Sequence, residues 1–588
     1  MSSSRISRRA FLTALGLGST ALAAQSMPGL SPSVNISSDR PNLLLIHTDQ
    51  QSQWTVSAFP RLPGDRVIVE TPHLDSIAVN GARIDNFFVN QAVCSPSRSA
   101  LMTGRYPQFT NVWKNGRPLN PDEITLAHAL SEAGYDTGYC GKWHLSGEAK
   151  PGWGNPNWED PDVQTYGFRD ADFMWNRGHF KEVVEDLTGA EKPEVSSNIG
   201  DESTYSTDFF TRKAVDFIQK ERTEPFFLMV SFPDPHTPYK TRDPYGSQYL
   251  PENMTIPPTI DDEDETTCRE IRTQYCGMVK LIDDGVGKLI DTLHQTGQYE
   301  NTIIFYTSDH GDFMGEHGLY KKGKFYETVF RVPCLIQWPG HIPAGSIVKH
   351  VMSNVDVHPT MLSLMGLVPN TRIQGTDGSK VLLETESEWL DQAFGFHRSG
   401  LGAAIFTQDW HLFVMEEGYE QEKVPKRALY DRLNDPWQMN NLYFDQNHKQ
   451  IREMLLTRLI DFHRNLETVE CEWLETQYGL SSSVSPLNNN NPESHDLKQN
   501  FPNPFNPETR IEFQLSNPSN VSLKIYNIQG KEILTLIDEY KEAGQHAVTW
   551  NGNNRFGKPA GSGVYFYHMD ASSSEGDTIR IRRMIKIP

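Results

Sequence analysis

The 588-residue chain is short of three things. It has six cysteines, Cys94, Cys140, Cys268, Cys276, Cys334 and Cys471, too few for a disulfide-stapled scaffold. Cys268 and Cys276 stand close enough to bridge a short loop, but separate buried thiols are the simpler reading. No second apolar run approaches the roughly 18 residues of a membrane helix, so the mature chain is expected to have no transmembrane segment. Positive charge is scarce: 54 Lys and Arg face 75 Asp and Glu, a net of -21. That excludes the basic footprint a nucleic-acid partner requires. It also excludes attraction of anions by the field of the whole molecule. Aromatic residues are plentiful at 11%, which supports packed cores rather than wholesale disorder. The length suits about two to four domains.

The charge deficit is uneven. Residues 1–40 carry +3 and residues 500–588 carry +1, so residues 41–499 carry -25. The N-terminus reads SRRAFLTALGLGSTALAA. Arg8 and Arg9 precede an apolar stretch, Phe11 to Ala24, too short and too rich in Gly and Ala to span a bilayer. Ala21-Leu22-Ala23 fits a small-residue cleavage site. Residues 1–24 resemble a twin-arginine export signal, whose removal would leave -24. Residues 480–499, LSSSVSPLNNNNPESHDLKQ, are polar and lack an apolar period, as a linker does. In residues 500–588 four alternating runs, Ile511 to Leu515, Val521 to Tyr526, His546 to Trp550 and Val564 to His568, predict a small all-β sandwich. Its NFPNPFNPETRI, YNIQGKEI and SGVYFY segments resemble the C-terminal sorting domain of type IX secretion substrates. The resemblance implies secretion machinery as a partner, passage across both membranes, and a secreted or cell-surface location. That family normally accompanies general secretory export, which sits uneasily with the N-terminal pattern. An accessory carbohydrate-binding sandwich is the alternative.

The middle of the chain alternates strand and helix patterns. PNLLLIH (41–47), PFFLMVSF (225–232) and NTIIFYT (301–307) are continuous apolar runs, as expected of strands buried on both faces. Tyr135 to Cys140 is a weaker run. Helix patterns cover Tyr205 to Lys220 and Cys268 to Gln295. The expected fold class is α/β, a mostly parallel sheet flanked by helices. In such sheets ligands bind beyond the carboxyl ends of the strands. Each run is followed by polar groups: Thr48-Asp49-Gln50, Gly141-Lys142-Trp143-His144, Asp234-Pro235-His236, and Ser308-Asp309-His310-Gly311-Asp312. Four such coincidences in one sheet point to a metal or anion site.

A fifth piece is Cys94-Ser95-Pro96-Ser97-Arg98, running on to Thr103-Gly104-Arg105. Pro96 suits a helix start, whose free N–H groups favour anions. Arg98 could present its fork to a tetrahedral oxyanion. CSPSRSALMTGRYP resembles the sulfatase signature C-x-P-S-R followed by T-G-R. TDQ, GKWHL, PHTPY, SDHGD and KKGKFYETVFRVP follow the family order, and Leu429-Tyr430-Asp431, Asp435-Pro436 and Asn441-Leu442 resemble its closing segment. The resemblance, to formylglycine-dependent sulfatases of the alkaline phosphatase superfamily, spans about residues 40–470. It implies a catalytic domain at 40–365 and an α+β subdomain at 366–475, with a small antiparallel sheet and a helix over Ile451 to Leu466.

The resemblance also implies roles. Cys94 would be oxidised to formylglycine by a maturation enzyme, and a hydroxyl of its hydrate would attack sulfur. Asp49, Gln50, Asp309 and His310, with Cys94, fall at the metal positions. Many sulfatases carry Asp and Asn at the Gln50 and His310 positions; Gln and His occur in enzymes resembling choline sulfatases and phosphonate monoester hydrolases. The oxygen-rich set favours Ca²⁺, and the imidazole leaves Mn²⁺ or another divalent ion open. Asp309 would serve as base. Arg98, Lys142 and Lys322 would hold the sulfate oxygens. Lys322 is chosen over Lys321 and Lys324 for its spacing to Glu327. His236 would protonate the leaving oxygen and His144 would assist the return to aldehyde. Asp312 and His317, not read as catalytic, would support the site or contact substrate, and Arg105 reads as structural. Asp261 to Glu265 reads as a solvated acidic loop, a second cation site being the lesser reading. The aromatic segment Trp153 to Trp175 suits either a cleft lining or a stabilised loop.

The expected function is an exported sulfatase acting on sulfated polysaccharides or oligosaccharides, with algal and animal glycans both open. The alternatives are a phosphonate or phosphate ester hydrolase on the same scaffold, and an inactive surface glycan-binding protein.

Overall fold

The computed structural model describes residues 40–587 apart from 62–68, 149–157, 159–165, 186–191, 385–388, 420–422, 480–494, 499, 501, 504, 528–530 and 574–575. The expected export signal lies outside the described residues, as do most of the linker and much of the aromatic segment. The described residues fall into two units, 40–479 and 495–587.

The first unit is built on an eight-stranded sheet. Its strands are β1 (Asn42–Asp49), β2 (Ala82–Phe88), β3 (Asp136–Lys142), β4 (Asp170–Trp175), β5 (Phe226–Pro235), β6 (Thr302–Ser308), β7 (Cys334–Gln337) and β8 (Ser346–Ser353). They lie in the order β8-β2-β7-β6-β1-β5-β3-β4. Strand β7 runs antiparallel to β2 and β6; the other pairings are parallel. The apolar runs make the centre because they have no polar face to give to water. Along β1 the side chains alternate between two cores: Leu43 and Leu45 on one face, Leu44 and Ile46 on the other. Phe227 and Met229 of β5 repeat the alternation against Phe226, Leu228 and Val230. Each such buried side chain is worth about 1.5–3 kcal/mol.

Helices cover both faces. Helix α1 (Cys94–Thr103) brings Leu101 and Met102 into the first core. Helices α2 (Ser206–Gln219) and α3 (Glu265–Gln295) bring Phe209, Phe210, Phe217, Ile282, Val286 and Leu289 into the second. The acidic run Asp261 to Glu265 becomes a turn of 3-10 helix that leads into α3. Part of the aromatic segment is core rather than cleft: Trp175 ends β4 and packs edge-on against Phe210, ring centroids 4.8 Å apart. Phe168 joins the first core. A four-stranded antiparallel sheet, Gln392–Phe396, Gly402–Thr407, Trp410–Met415 and Arg427–Asp431, packs against α4 (Lys449–Asn465) and α5 (Glu470–Tyr478). All six cysteines are free thiols, so Cys268 and Cys276 remain separate and buried.

The second unit is all β. A three-stranded sheet (Asp496–Leu497, Thr509–Leu515, Gly544–Trp550) faces a four-stranded one (Glu532–Lys541, Ser519–Asn527, Gly563–Ser573, Gly576–Lys586). Alternate residues fill its core, among them Ile511, Phe513, Leu523, Ile525, Trp550 and Tyr567. Glu532–Lys541 and Gly576–Lys586 escape a sequence reading because charged residues interrupt them. No described helix of the chain is long and apolar enough to cross a membrane.

Candidate active site

The ends of β1, β3, β5 and β6 point to the start of α1. Asp49 is the last residue of β1 and Lys142 the last of β3. Gly141 makes the second placement possible: its φ is 110° and a Cβ there would lie 1.9 Å from the Ser231 carbonyl oxygen of β5. Gln50 turns the chain with φ 70° and donates its N–H to Asp309 Oδ1 at 2.9 Å. Cys94 opens α1, with extended Val93 before it.

These placements gather four potential metal ligands. Asp49, Cys94, Asp309 and His310 are all buried, and one donor atom of each lies within 4.8 Å of the others. Cys94 Sγ is 3.3 Å from His310 Nε2 and 3.8 Å from Asp49 Oδ1. His310 Nδ1–H donates to the Gly311 carbonyl at 2.9 Å, which turns Nε2 toward the cluster. The Gln50 amide oxygen accepts from Lys322 Nζ at 2.6 Å, and its nitrogen donates to Asp312 Oδ2 at 2.5 Å. Asp312 Oδ2 also accepts a hydrogen bond from the Tyr239 hydroxyl at 2.6 Å.

Three cations surround the carboxylates. Arg98 Nε donates to Asp309 Oδ2 at 2.9 Å, and Nη1 reaches the Lys142 carbonyl at 2.6 Å and Ser231 Oγ at 2.8 Å. Its Nη2 stands 3.5 Å from Asp49 Oδ2. The fork of Arg98 is therefore turned toward the two aspartates. Lys142 Nζ donates to Asp49 Oδ2 and, at 2.6 Å, to His179 Nε2. Lys322 Nζ touches Gln50, Cys94 Sγ at 3.2 Å and His236 Nε2 at 2.7 Å. It sits on a loop whose backbone is left-handed at Met314, Gly315, His317, Gly318, Lys321 and Gly323. His144, with φ 64°, lies against Cys94, and its Nδ1 has no hydrogen-bond partner.

The electrostatics follow from this packing. Burial opposes ionisation of Cys94, as does Asp49, but Lys142, Lys322 and His310 outweigh them and hold the thiol well below its ordinary pKa. Burial also opposes the Asp49 carboxylate, yet Lys142 first, and then Arg98, hold it well below the ordinary carboxylate range. Asp309 is pushed up by burial and by Asp49. Burial and Lys322 push His236 down to about 4; burial and Lys142 do the same to His144.

Every residue expected at the site is brought to it: Asp49, Gln50, Cys94, Arg98, Lys142, His144, His236, Asp309, His310 and Lys322. Arg105 is remote from it and pairs with Glu123, and His317 stacks on Tyr326 with centroids 4.0 Å apart. His179 was not expected. It follows β4, a strand hidden in sequence by the irregular aromatic segment, and it obeys the same strand-end rule as the others.

Comparison with known proteins places this geometry in a family. Residues 41–367 match the Sulfatase family, residues 315–465 the C-terminal region of N-sulphoglucosamine sulphohydrolase, and residues 501–575 the FlgD Ig-like domain. A choline-sulfatase of Rhizobium meliloti is 30% identical over 68% of this chain and 82% of its own length. An N-acetylglucosamine-6-O-sulfatase of Bacteroides thetaiotaomicron is 25% identical over 74% of this chain and 89% of its own. The solved structure of yidJ from Bacteroides fragilis matches with a TM-score of 0.64 at 25% identity, over 77% of this chain and all of that one. With the strand-end residues in one buried cluster and more than half of the chain matched, the protein belongs to the sulfatase family, enzymes that hydrolyse sulfuric esters.

Proposed function

We propose that the protein hydrolyses sulfate esters on sulfated carbohydrates, using a divalent cation and a formylglycine made from Cys94 by a maturation enzyme. The observation that carries this reading is the buried cluster of Asp49, Cys94, Asp309 and His310 beside Lys142 and Lys322. The donors fit a divalent ion: two aspartates share one buried site, His310 Nε2 faces them, and the Gln50 amide oxygen shares Lys322 Nζ with Cys94 Sγ. Ca²⁺ suits the oxygen-rich set, with Mn²⁺ second. Bound there, the cation would withdraw charge from a sulfate oxygen and favour a deprotonated hydroxyl at position 94.

The chain's own residues do the rest. Arg98 offsets Asp49 and Asp309 so that both carboxylates stay aimed at the cluster. Lys142 and Lys322, fixed by Asp49 and Gln50, offer N–H groups to an anion seated over Cys94. His236 donates Nδ1–H to the Thr237 carbonyl at 2.8 Å and accepts from Lys322 at Nε2. Lys322 and His236 together thus hold a proton for the departing alcohol oxygen. His144 faces position 94 with a free Nδ1 and can take the proton released when sulfate leaves.

The Gln50 and His310 pair, an amide and an imidazole among carboxylates, keeps a phosphonate or phosphate ester hydrolase as the second reading. The N-acetylglucosamine-6-O-sulfatase relative supports a carbohydrate substrate. Export by the N-terminal segment and surface delivery by the C-terminal sandwich as a type IX sorting domain rest on the sequence resemblances. Two measurements test the proposal. Protein from its native host should carry a residue-94 peptide about 18 Da lighter than the cysteine form. A panel of sulfated oligosaccharides should release sulfate, and faster turnover of aryl phosphonates than aryl sulfates would favour the second reading.

A further inference from the structure

Elsewhere in the first unit many surface cations have carboxylate partners, such as Lys213 with Glu185, Arg269 with Glu265 and Arg427 with Glu417. That is expected where residues 41–499 carry -25. Other cations, such as Arg212, Lys423 and Arg452, are held by backbone carbonyls instead, and four that lack a carboxylate lie on loops held against residues 90–95, the segment leading into Cys94. Lys114 and Arg117 belong to one loop. There the Trp113 carbonyl accepts from Gln91 Nε2 at 2.9 Å, and Asn115 Oδ1 accepts the Ser95 N–H at 3.0 Å. The Trp113 ring holds both heads, Lys114 Nζ 4.8 Å and Arg117 Cζ 5.1 Å from its centroid. Arg117 otherwise donates to Asn111.

Lys324 and Arg398 are carried by two further loops. Gly323 faces Val93: a Cβ on it would lie 4.0 Å from Val93 Cγ2. Phe396 donates its N–H to the Asn90 carbonyl at 2.7 Å. Burial, and then Arg398, lower the affinity of Lys324 for its proton, so the two charges feel each other. Glu148 is a carboxylate near the first loop, and Arg177 engages it at 3.4 Å. Among the described residues no carboxylate pairs with Lys114, Arg117, Lys324 or Arg398. Like charges gathered without counter-charges cost free energy that an anionic ligand returns.

We propose that Lys114, Arg117, Lys324 and Arg398 form anion subsites flanking the Cys94 pocket and take the further sulfate or carboxylate groups of an oligoanionic saccharide. This rests on the sulfatase reading for the place of the scissile sulfate at Cys94. It gives the acidic chain a local route to a polyanion that its overall field would repel. Trp113 is a positioning residue here, since it orders two of the cations.

The test is calorimetric binding to the full chain, with sucrose octasulfate as the polyanion probe and inorganic sulfate as the single-anion probe. Lys114→Ala with Arg117→Ala, and Lys324→Ala with Arg398→Ala, should each weaken octasulfate at least about tenfold and sulfate less than about threefold. Trp113→Leu should follow the first pair in direction. Retention of octasulfate affinity in both double variants, or equal weakening of both probes, overturns the proposal. Aryl sulfate turnover by the unmutated enzyme is recorded alongside. Its absence would refute the proposed chemistry and leave the binding comparison to decide the subsites separately.

Discussion

The imidazole rings of His179 and His236 lie face to face, 3.4 Å between centroids and 2° from parallel. Each accepts a hydrogen bond at Nε2 from a different lysine, His179 from Lys142 and His236 from Lys322. A lysine has only protons to give, so both rings present a lone pair there and both are neutral. Burial holds them so, reinforced at His179 by Lys142 and at His236 by Lys322. The stack fixes the spacing of the Lys142 and Lys322 ammonium groups.

Removing one ring should therefore disturb both cations. His179→Ala leaves Lys142 with one partner fewer and His236 with no stacked face. The expected result is a fall in kcat/KM of about 10- to 100-fold on any sulfate ester the enzyme turns over. His179→Gln, which can still accept from Lys142, should recover part of the loss. Steady-state kinetics on the two variants checks this.

Chelation should abolish activity. Asp49 and Asp309 are two buried carboxylates in one cluster, and a divalent cation relieves their repulsion. Dialysis against EDTA should lower turnover by at least about 100-fold, with recovery on adding Ca²⁺. Ca²⁺ should also raise Tm in the wild type by binding the folded state alone, and should not do so in Asp49→Asn. Differential scanning fluorimetry over a Ca²⁺ series reads this out.

The central strands were legible because β1, β5 and β6 are buried on both faces and so read as unbroken apolar runs. The polar residues after them were legible because strand ends in parallel sheets face ligands. Strand β7 was not legible. It is only Cys334–Gln337, and its antiparallel course depends on lying between β2 and β6. His179 was hidden for a related reason: β4 is an edge strand whose alternation is broken by Asp172 and neighbouring aromatics. The orientation of Arg98 was hidden too. Its place one turn after Cys94 follows from helical spacing, but Asp309 and Ser231, over 100 residues away, decide where its fork points.

Arg432 ties the antiparallel sheet to the loop that carries Lys322. Its Nε and Nη2 donate to the two Glu327 carboxylate oxygens at 2.6 and 3.1 Å, and its guanidinium lies 5.0 Å from the Phe88 ring centroid. Both residues are mostly buried. Arg432→Leu should cost about 3–5 kcal/mol, because Glu327 keeps a charge without its main partner. Arg432→Leu combined with Glu327→Leu should lose less than Arg432→Leu alone. Urea titration of the three proteins at one pH gives the comparison.

Glu470 should make the protein less stable as pH rises from acid toward neutrality. It is fully buried at the start of α5, where Oε1 takes a 3.5 Å bond from Gln108 and Oε2 has no hydrogen-bond partner. Burial raises its pKa to about 7, against roughly 4.3 in an unfolded chain. Between those values the folded protein holds a proton that the unfolded chain has released. Stability therefore falls as pH climbs from about 4.3 to about 7 and is flat, for this group, on either side. Above pH 7 the folded state bears the full cost of a buried carboxylate, about 4 kcal/mol for that difference. Glu470→Gln removes the titration and keeps an oxygen for Gln108. It should raise Tm at pH 8 relative to wild type and leave Tm nearly unchanged at pH 4.5, where Glu470 is already neutral in the folded state. Thermal unfolding across pH 4.5–8 tests the sign directly: a stabilisation larger at low pH than at high pH would show that the carboxylate is held ionised.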